Sequence, residues 1–157
     1  MGLMAVRPGG QVRNVNADAL GLFDALRSLQ LPASDYAVFG SGPLIVRGII
    51  EPTSDLDVLS RGAAWAKAKT LGDRILLPEH AVEVVSLLEG AITIGTRWAI
   101  GEIDTDELIH SAEIIEGLPF VRMEHVVRYK EIAARPKDLA HLRLLNAALP
   151  GEERTRD

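Results

Sequence analysis

Asp55 and Asp57 stand two residues apart in Asp55-Leu-Asp-Val-Leu59, a segment that alternates polar and apolar in the manner of a strand. Alternate side chains of a strand share a face, so both carboxylates project together, about 7 Å apart at the backbone. Two like charges side by side destabilise a strand unless something positive neutralises them. A hard divalent cation does this well, because Mg2+ takes carboxylate oxygens and keeps other positions for water and phosphate. The plainer alternative is a pair of carboxylates at an exposed strand end that only keeps it soluble. Upstream, Gly40-Ser41-Gly42-Pro43 reads as a turn from a strand into a helix. Such a turn offers backbone N–H groups and a helix N-terminus to a phosphate. Gly40 permits close approach, and the Ser41 hydroxyl adds a bond to a phosphate oxygen. The same four residues are also ordinary turn chemistry, with serine as a cap. Taken together, the two segments bring a phosphate cradle and a metal-binding pair to neighbouring strand ends.

The elements that must position these groups alternate along the chain. Leu20, Phe23, Leu26 and Leu29 recur at helical spacing after Asn16, and Pro32 ends that helix. Tyr36–Phe39 reads as a short buried strand, 44–50 as a short apolar helix and 55–59 as the next strand. Residues 61–71, rich in Ala and Lys, favour a helix. Ala81–Leu87 reads as a strand and 92–103 as one or two more. Glu113–Val121 resembles a hairpin whose Pro119 favours a sheet edge. Met123–Ala134 and Lys137–Ala148 read as two helices separated by Arg135-Pro136. Strands and helices interleave, so the expected class is α/β or α+β, a mixed sheet flanked by helices with two of them at the C-terminus.

The 157 residues match one domain in size, expected over 16–149 between a flexible segment at 1–15 and a flexible tail at 150–157. With no cysteine, disulfide scaffolds, thiolate metal sites and a Cys nucleophile are excluded. A net charge of −5 argues against broad, non-specific nucleic-acid binding but not against a local basic patch. No stretch reaches the roughly 20 apolar residues of a membrane span, and the first residues lack a signal-peptide core; the expected location is the cytoplasm. His80, His110, His125 and His141 lie too far apart for a local zinc motif, and His125 and His141 belong to helix faces. Trp65 and Trp98 are better suited to packing than to stacking on a base.

Val38-Phe-Gly-Ser41, thirteen intervening residues and then Asp55-Leu-Asp57 resemble the signature of the nucleotidyltransferase superfamily that includes DNA polymerase beta. The gap is slightly longer than usual. Lys130-Glu-Ile-Ala-Ala-Arg135-Pro-Lys137-Asp138 is similar to the Lys…Arg-x-Lys-Asp segment of its small bacterial branches, which include antibiotic-modifying enzymes and abortive-infection toxins. The likeness spans about 16–145.

This resemblance implies a third acidic residue on a later strand. Glu83 is the first choice, with Glu102 and Asp104 behind it and an exposed strand residue as the alternative for Glu83. It implies that Asp55, Asp57 and Glu83 hold two Mg2+ (or Mn2+) ions about 4 Å apart. Gly40 and Ser41 would bind phosphate oxygens of an NTP, and Lys130, Arg135 and Lys137 would neutralise the pyrophosphate leaving group. The plainer reading of those cations is a solvated helix surface. Asp138 would favour a helix dipole or organise Arg135 or Lys137. The implied reaction transfers a nucleoside monophosphate to an acceptor hydroxyl on a small molecule, an RNA end or a protein, with a protein partner or a second copy helping to bind it. The other function class is a catalytically inactive relative serving as a nucleotide-binding or interaction module, for example in a toxin–antitoxin or defence system.

Overall fold

The computed structural model describes residues 14–77, 82–97 and 104–148. Helix α1 (Asn14–Ser28) precedes a single 3-10 turn at Ala33–Asp35 and strand β1 (Tyr36–Phe39). Then come α2 (Gly42–Val46), β2 (Leu56–Ser60), α3 (Gly62–Ala68), β3 (Asp73–Leu77), β4 (Val82–Leu87) and β5 (Ile92–Gly95). The chain closes with α4 (Thr105–His110), the pair β6 (Glu113–Ile115) and β7 (Leu118–Phe120), α5 (Met123–Ala133) and α6 (Pro136–Ala148). The strands form one seven-stranded mixed sheet in the order β3-β4-β5-β2-β1-β7-β6. The class is therefore mixed α/β with C-terminal helices, as the interleaved pattern requires.

Alternation along the central strands divides the core in two. Val38, Leu56, Val58, Val85, Ile92 and Ile94 face α1 and α3, where Phe23, Leu26, Ala64 and Ala68 cover them. Ala37, Phe39 and Leu59 face the other way, against Leu44 of α2, Leu108 and Ile109 of α4, and Val126 and Tyr129 of α5. Both sides of the sheet are covered, so β1 is buried along its whole length. Among the described residues no helix is long and apolar enough to cross a membrane.

Several elements depart from the expected ones. The first helix starts at Asn14, inside the segment expected to be flexible; 1–13 and 150–157 lie outside the described residues, as does the latter part of 92–103. Strand β2 begins at Leu56, so Asp55 stands just before it. Strand β3 was not legible because Asp-Arg-Ile-Leu-Leu does not alternate; it is an exposed edge held by pairing with β4. The short α4 depends on its cap, the Asp104 carboxylate accepting from Glu107 N–H at 3.1 Å. Pro119 does not lie on the edge. Strand β6 takes that place, and β7 meets β1 at Phe120 with Val121 N–H donating to Val38 C=O, so that bond does not need the missing N–H of Pro119.

Candidate active site

Strand β1 runs antiparallel to β2, with Phe39 in register with Asp57. The chain leaves β1 through Gly40, whose φ of +66° is left-handed and suits a residue without a side chain. Space imposes the same choice, since a Cβ on Gly40 would lie 3.0 Å from Asp57 Oδ2. The Asp57 carboxylate thus rests against the turn. Ser41 opens α2; its carbonyl accepts from Leu44 and Ile45 N–H, and its hydroxyl makes no cap bond. With only five residues, α2 contributes little dipole. What this turn could offer a phosphate is its N–H groups and the Ser41 hydroxyl.

The positive side of the site comes from the far end of the chain. At the end of α5 Ala134 adopts φ +50°, and this left-handed break folds α6 back so that Lys130 and Arg135 converge on Asp138. Asp138 is fully buried. Its Oδ2 accepts from Arg135 Nε at 2.6 Å and from Arg135 N–H at 3.1 Å, and its Oδ1 from Arg135 Nη2 at 3.2 Å. Lys130, also buried, lies 3.5 Å from Oδ1 through its Nζ. Its second partner is His141 Nδ1 at 3.2 Å. Burial, then the charges of Lys130 and Lys137, lower the His141 pKa, so the neutral ring accepts and the ammonium donates. Among the described residues these two partners take two of the three ammonium protons. Lys137 is exposed, and Asp138 organises Arg135 and Lys130 instead of Lys137.

Gly40, Ser41, Asp57, Lys130, Arg135 and Lys137 line a single cleft of about 40 Å3, together with Phe39 and Tyr129. Six of the eight site residues expected from the sequence therefore meet, from three separate chain segments. Asp55 adds its charge beside Asp57. The Asp57 pKa is pushed up from 3.8 to about 6, first by burial and then by Asp55, while Lys137, Arg135 and Lys130 pull it down. An acidic pair under this electrostatic load gains by taking up a cation.

Glu83 does not join the cleft, which corrects its expected place. Asp57 is in register with Thr93 of β5, and Thr93 with Ser86 of β4, so Thr93 and Ser86 share its face. Glu83, three positions from Ser86, belongs to the opposite face and pairs with Arg74 at 3.0 Å on the exposed side of β3 and β4. Asp104 is taken up as the cap of α4, and Glu102 lies outside the described residues. Among the described residues no three His, Asp or Glu side chains come together as a metal site. Among the described residues, Asp55 and Asp57 are the carboxylates that could share one Mg2+ with phosphate oxygens, an arrangement this ion favours.

Two groups escaped the sequence reading. His141 was legible only as a helix-face residue. Tyr129 follows the apolar spacing of α5 and reads as core, but its buried hydroxyl has no hydrogen-bond partner among the described residues. Burial raises its pKa, and Arg135, Asp138 and Asp57 are the charges it feels. Comparison with known proteins gives no family model that matches this chain and no curated protein with significant similarity to it.

Proposed function

We propose that this cleft binds the triphosphate of an NTP with Mg2+ and transfers the nucleoside monophosphate to an acceptor hydroxyl, as a cytoplasmic member of the nucleotidyltransferase superfamily. The observation that carries the reading is the meeting of Asp57 and the Gly40-Ser41 turn with three cations, Lys130, Arg135 and Lys137, in one cleft. A metal triphosphate needs both signs of charge within a few ångströms. Asp55 and Asp57 would hold the ion. Bound there, it neutralises phosphate charge and orients the triphosphate. Ser41 donates its hydroxyl to a phosphate oxygen, and the turn N–H groups do the same. Lys130 and Arg135, already fixed by Asp138, meet negative charge building on the pyrophosphate without having to reorganise. The acceptor oxygen bonds to the α-phosphorus as the bond to pyrophosphate breaks, and the hydroxyl proton leaves to solvent water. The acceptor is a small molecule, an RNA end or a protein, presented with the help of a partner protein or a second copy of the chain.

One observation favours a second reading. Thr93 stands beside Asp57, with Ser86 one strand further on the same face, where a third carboxylate would assist deprotonation of the acceptor. A protein without that base would bind nucleotide and signal or regulate, for example within a toxin–antitoxin or defence pair. Calorimetric titration with each NTP and Mg2+ or Mn2+, followed by incubation with cell extract and NTP labelled at the α-phosphate, separates the two. Binding with a labelled product that disappears in Asp55→Asn/Asp57→Asn supports transfer. Binding without any labelled product establishes the second reading. No metal-dependent binding of any NTP overturns both.

A further inference from the structure

Beside the phosphate cleft lies a larger, half-open cavity of about 220 Å3, bordered by the end of β1, the first turn of α4 and one face of α5. Phe39 and Tyr129 line both spaces. Their rings meet edge to face, centroids 4.7 Å apart at 67°, and form a common wall. Leu108 and Ile132 add apolar surface, while Glu107 and Arg128 bring an acceptor and a donor. Single apolar cavities of about 150 Å3 take up benzene. This cavity therefore suits a planar ring larger than benzene, with polar groups on its edge. Tyr129, part of that wall, has a hydroxyl that is buried and without a hydrogen-bond partner among the described residues. A buried hydroxyl without a partner is costly, and a ligand oxygen would relieve that cost.

We infer that the two spaces are compartments of one ligand site. The phosphates occupy the cleft, a purine base occupies the pocket over α4 and α5 on the other side of the Phe39–Tyr129 wall, and the Tyr129 hydroxyl donates to a phosphate oxygen. This rests on the triphosphate reading above and extends it to the base. A purine is favoured over a pyrimidine by the volume. The Glu107 carboxylate accepts from an exocyclic amino group, and the Arg128 guanidinium donates to a ring nitrogen or carbonyl.

The test is a titration of the full chain with ATP, GTP, CTP and inorganic tripolyphosphate in Mg2+, repeated for Tyr129→Phe and Ile132→Trp. Ile132 is 46% exposed, so a larger ring there narrows the cavity without entering the core. The wild type should bind a purine triphosphate about tenfold or more tighter than CTP and tripolyphosphate. Ile132→Trp should abolish that advantage and leave tripolyphosphate unchanged. Tyr129→Phe should weaken ATP and tripolyphosphate alike by about tenfold, without lowering the Tm of the free protein, because no bond is lost there. Equal affinity of the wild type for ATP, CTP and tripolyphosphate overturns the base compartment but leaves the phosphate cleft standing. So does a purine preference that survives Ile132→Trp. Unchanged affinities in Tyr129→Phe overturn the role of the hydroxyl. Failure of tripolyphosphate and every NTP to bind overturns the triphosphate reading itself.

Discussion

Replacing Asp57 with asparagine should stabilise the ligand-free protein and, on the function proposed above, abolish binding of Mg2+ and nucleotide. The carboxyl titrates at about 6 in the folded chain instead of 3.8, chiefly because it is buried and next because Asp55 lies beside it. Between those two pH values the folded state holds a proton that the unfolded state has released. The stability associated with the group is therefore fully present below about pH 3.8 and falls as pH rises through 6. At about 1.36 kcal/mol per pH unit, the whole interval amounts to at most about 3 kcal/mol. Asparagine has nearly the same shape and never ionises. The variant should match the wild type near pH 4 and exceed it by up to about 3 kcal/mol at pH 8, a rise in Tm of roughly 6–12 °C for a chain of this size.

Urea denaturation in EDTA at a series of pH values measures the difference. If the proposed function holds, Mg2+ and nucleotide at 100 times Kd should add about 2.7 kcal/mol to the wild type alone, which closes the gap or inverts the order. A variant no more stable than the wild type at pH 8, or a difference that does not vary with pH, would refute the reasoning about the buried carboxylate.

The other predictions concern the supports of the site. Asp138→Ala should destabilise by about 3–5 kcal/mol in urea denaturation, because it strands the buried Lys130 charge; a loss under 1 kcal/mol would contradict this. Burial raises the Asp138 carboxyl, but the hydrogen bonds and charge of Arg135, with Lys130, more than offset that and hold it below its ordinary range. Its contribution to stability should accordingly persist above the ordinary carboxylate pKa and disappear on acidification. Gly40→Ala should cost about 1–2 kcal/mol for its left-handed backbone. It should also weaken Mg2+ binding, since the new Cβ presses on Asp57 Oδ2; calorimetry showing wild-type affinity would exclude that contact. Glu83→Gln removes only an exposed pair with Arg74, so stability should change by less than about 1 kcal/mol. Nucleotide affinity should be unchanged, and a tenfold loss would return Glu83 to the site.

What was legible in the sequence depended on how far apart the cooperating residues lie. Gly40, Ser41 and Asp57 belong to one strand–turn–helix–strand unit, and antiparallel pairing of β1 with β2 brings them together almost locally. Lys130, Arg135 and Lys137 are different: no periodicity tells where α5 and α6 will lie, and these residues were identified only through resemblance. Glu83 failed for a definable reason. Val82-Glu-Val-Val85 carries apolar residues in both phases, with Val84 and Val85 both buried, so alternation cannot say which way Glu83 points. The decision falls to the pairing of β4 with β5, which matches Ser86 to Thr93 and sends Glu83 to the other face. A one-residue slip in that register would have reversed the answer.

Tyr129 shows the complementary case. At helical spacing an aromatic residue reads as core, and its ring is indeed packed; only the three-dimensional surroundings reveal a hydroxyl with nothing to bond. Asp57 and Tyr129 thus share one property: each is a polar group desolvated at a cost the free fold does not recover by itself. The acid carries it as a raised pKa, the phenol as an unmade hydrogen bond. Such local conflicts with folding concentrate where a ligand completes the structure. Here both border the same cleft, facing the three cations that a triphosphate would need.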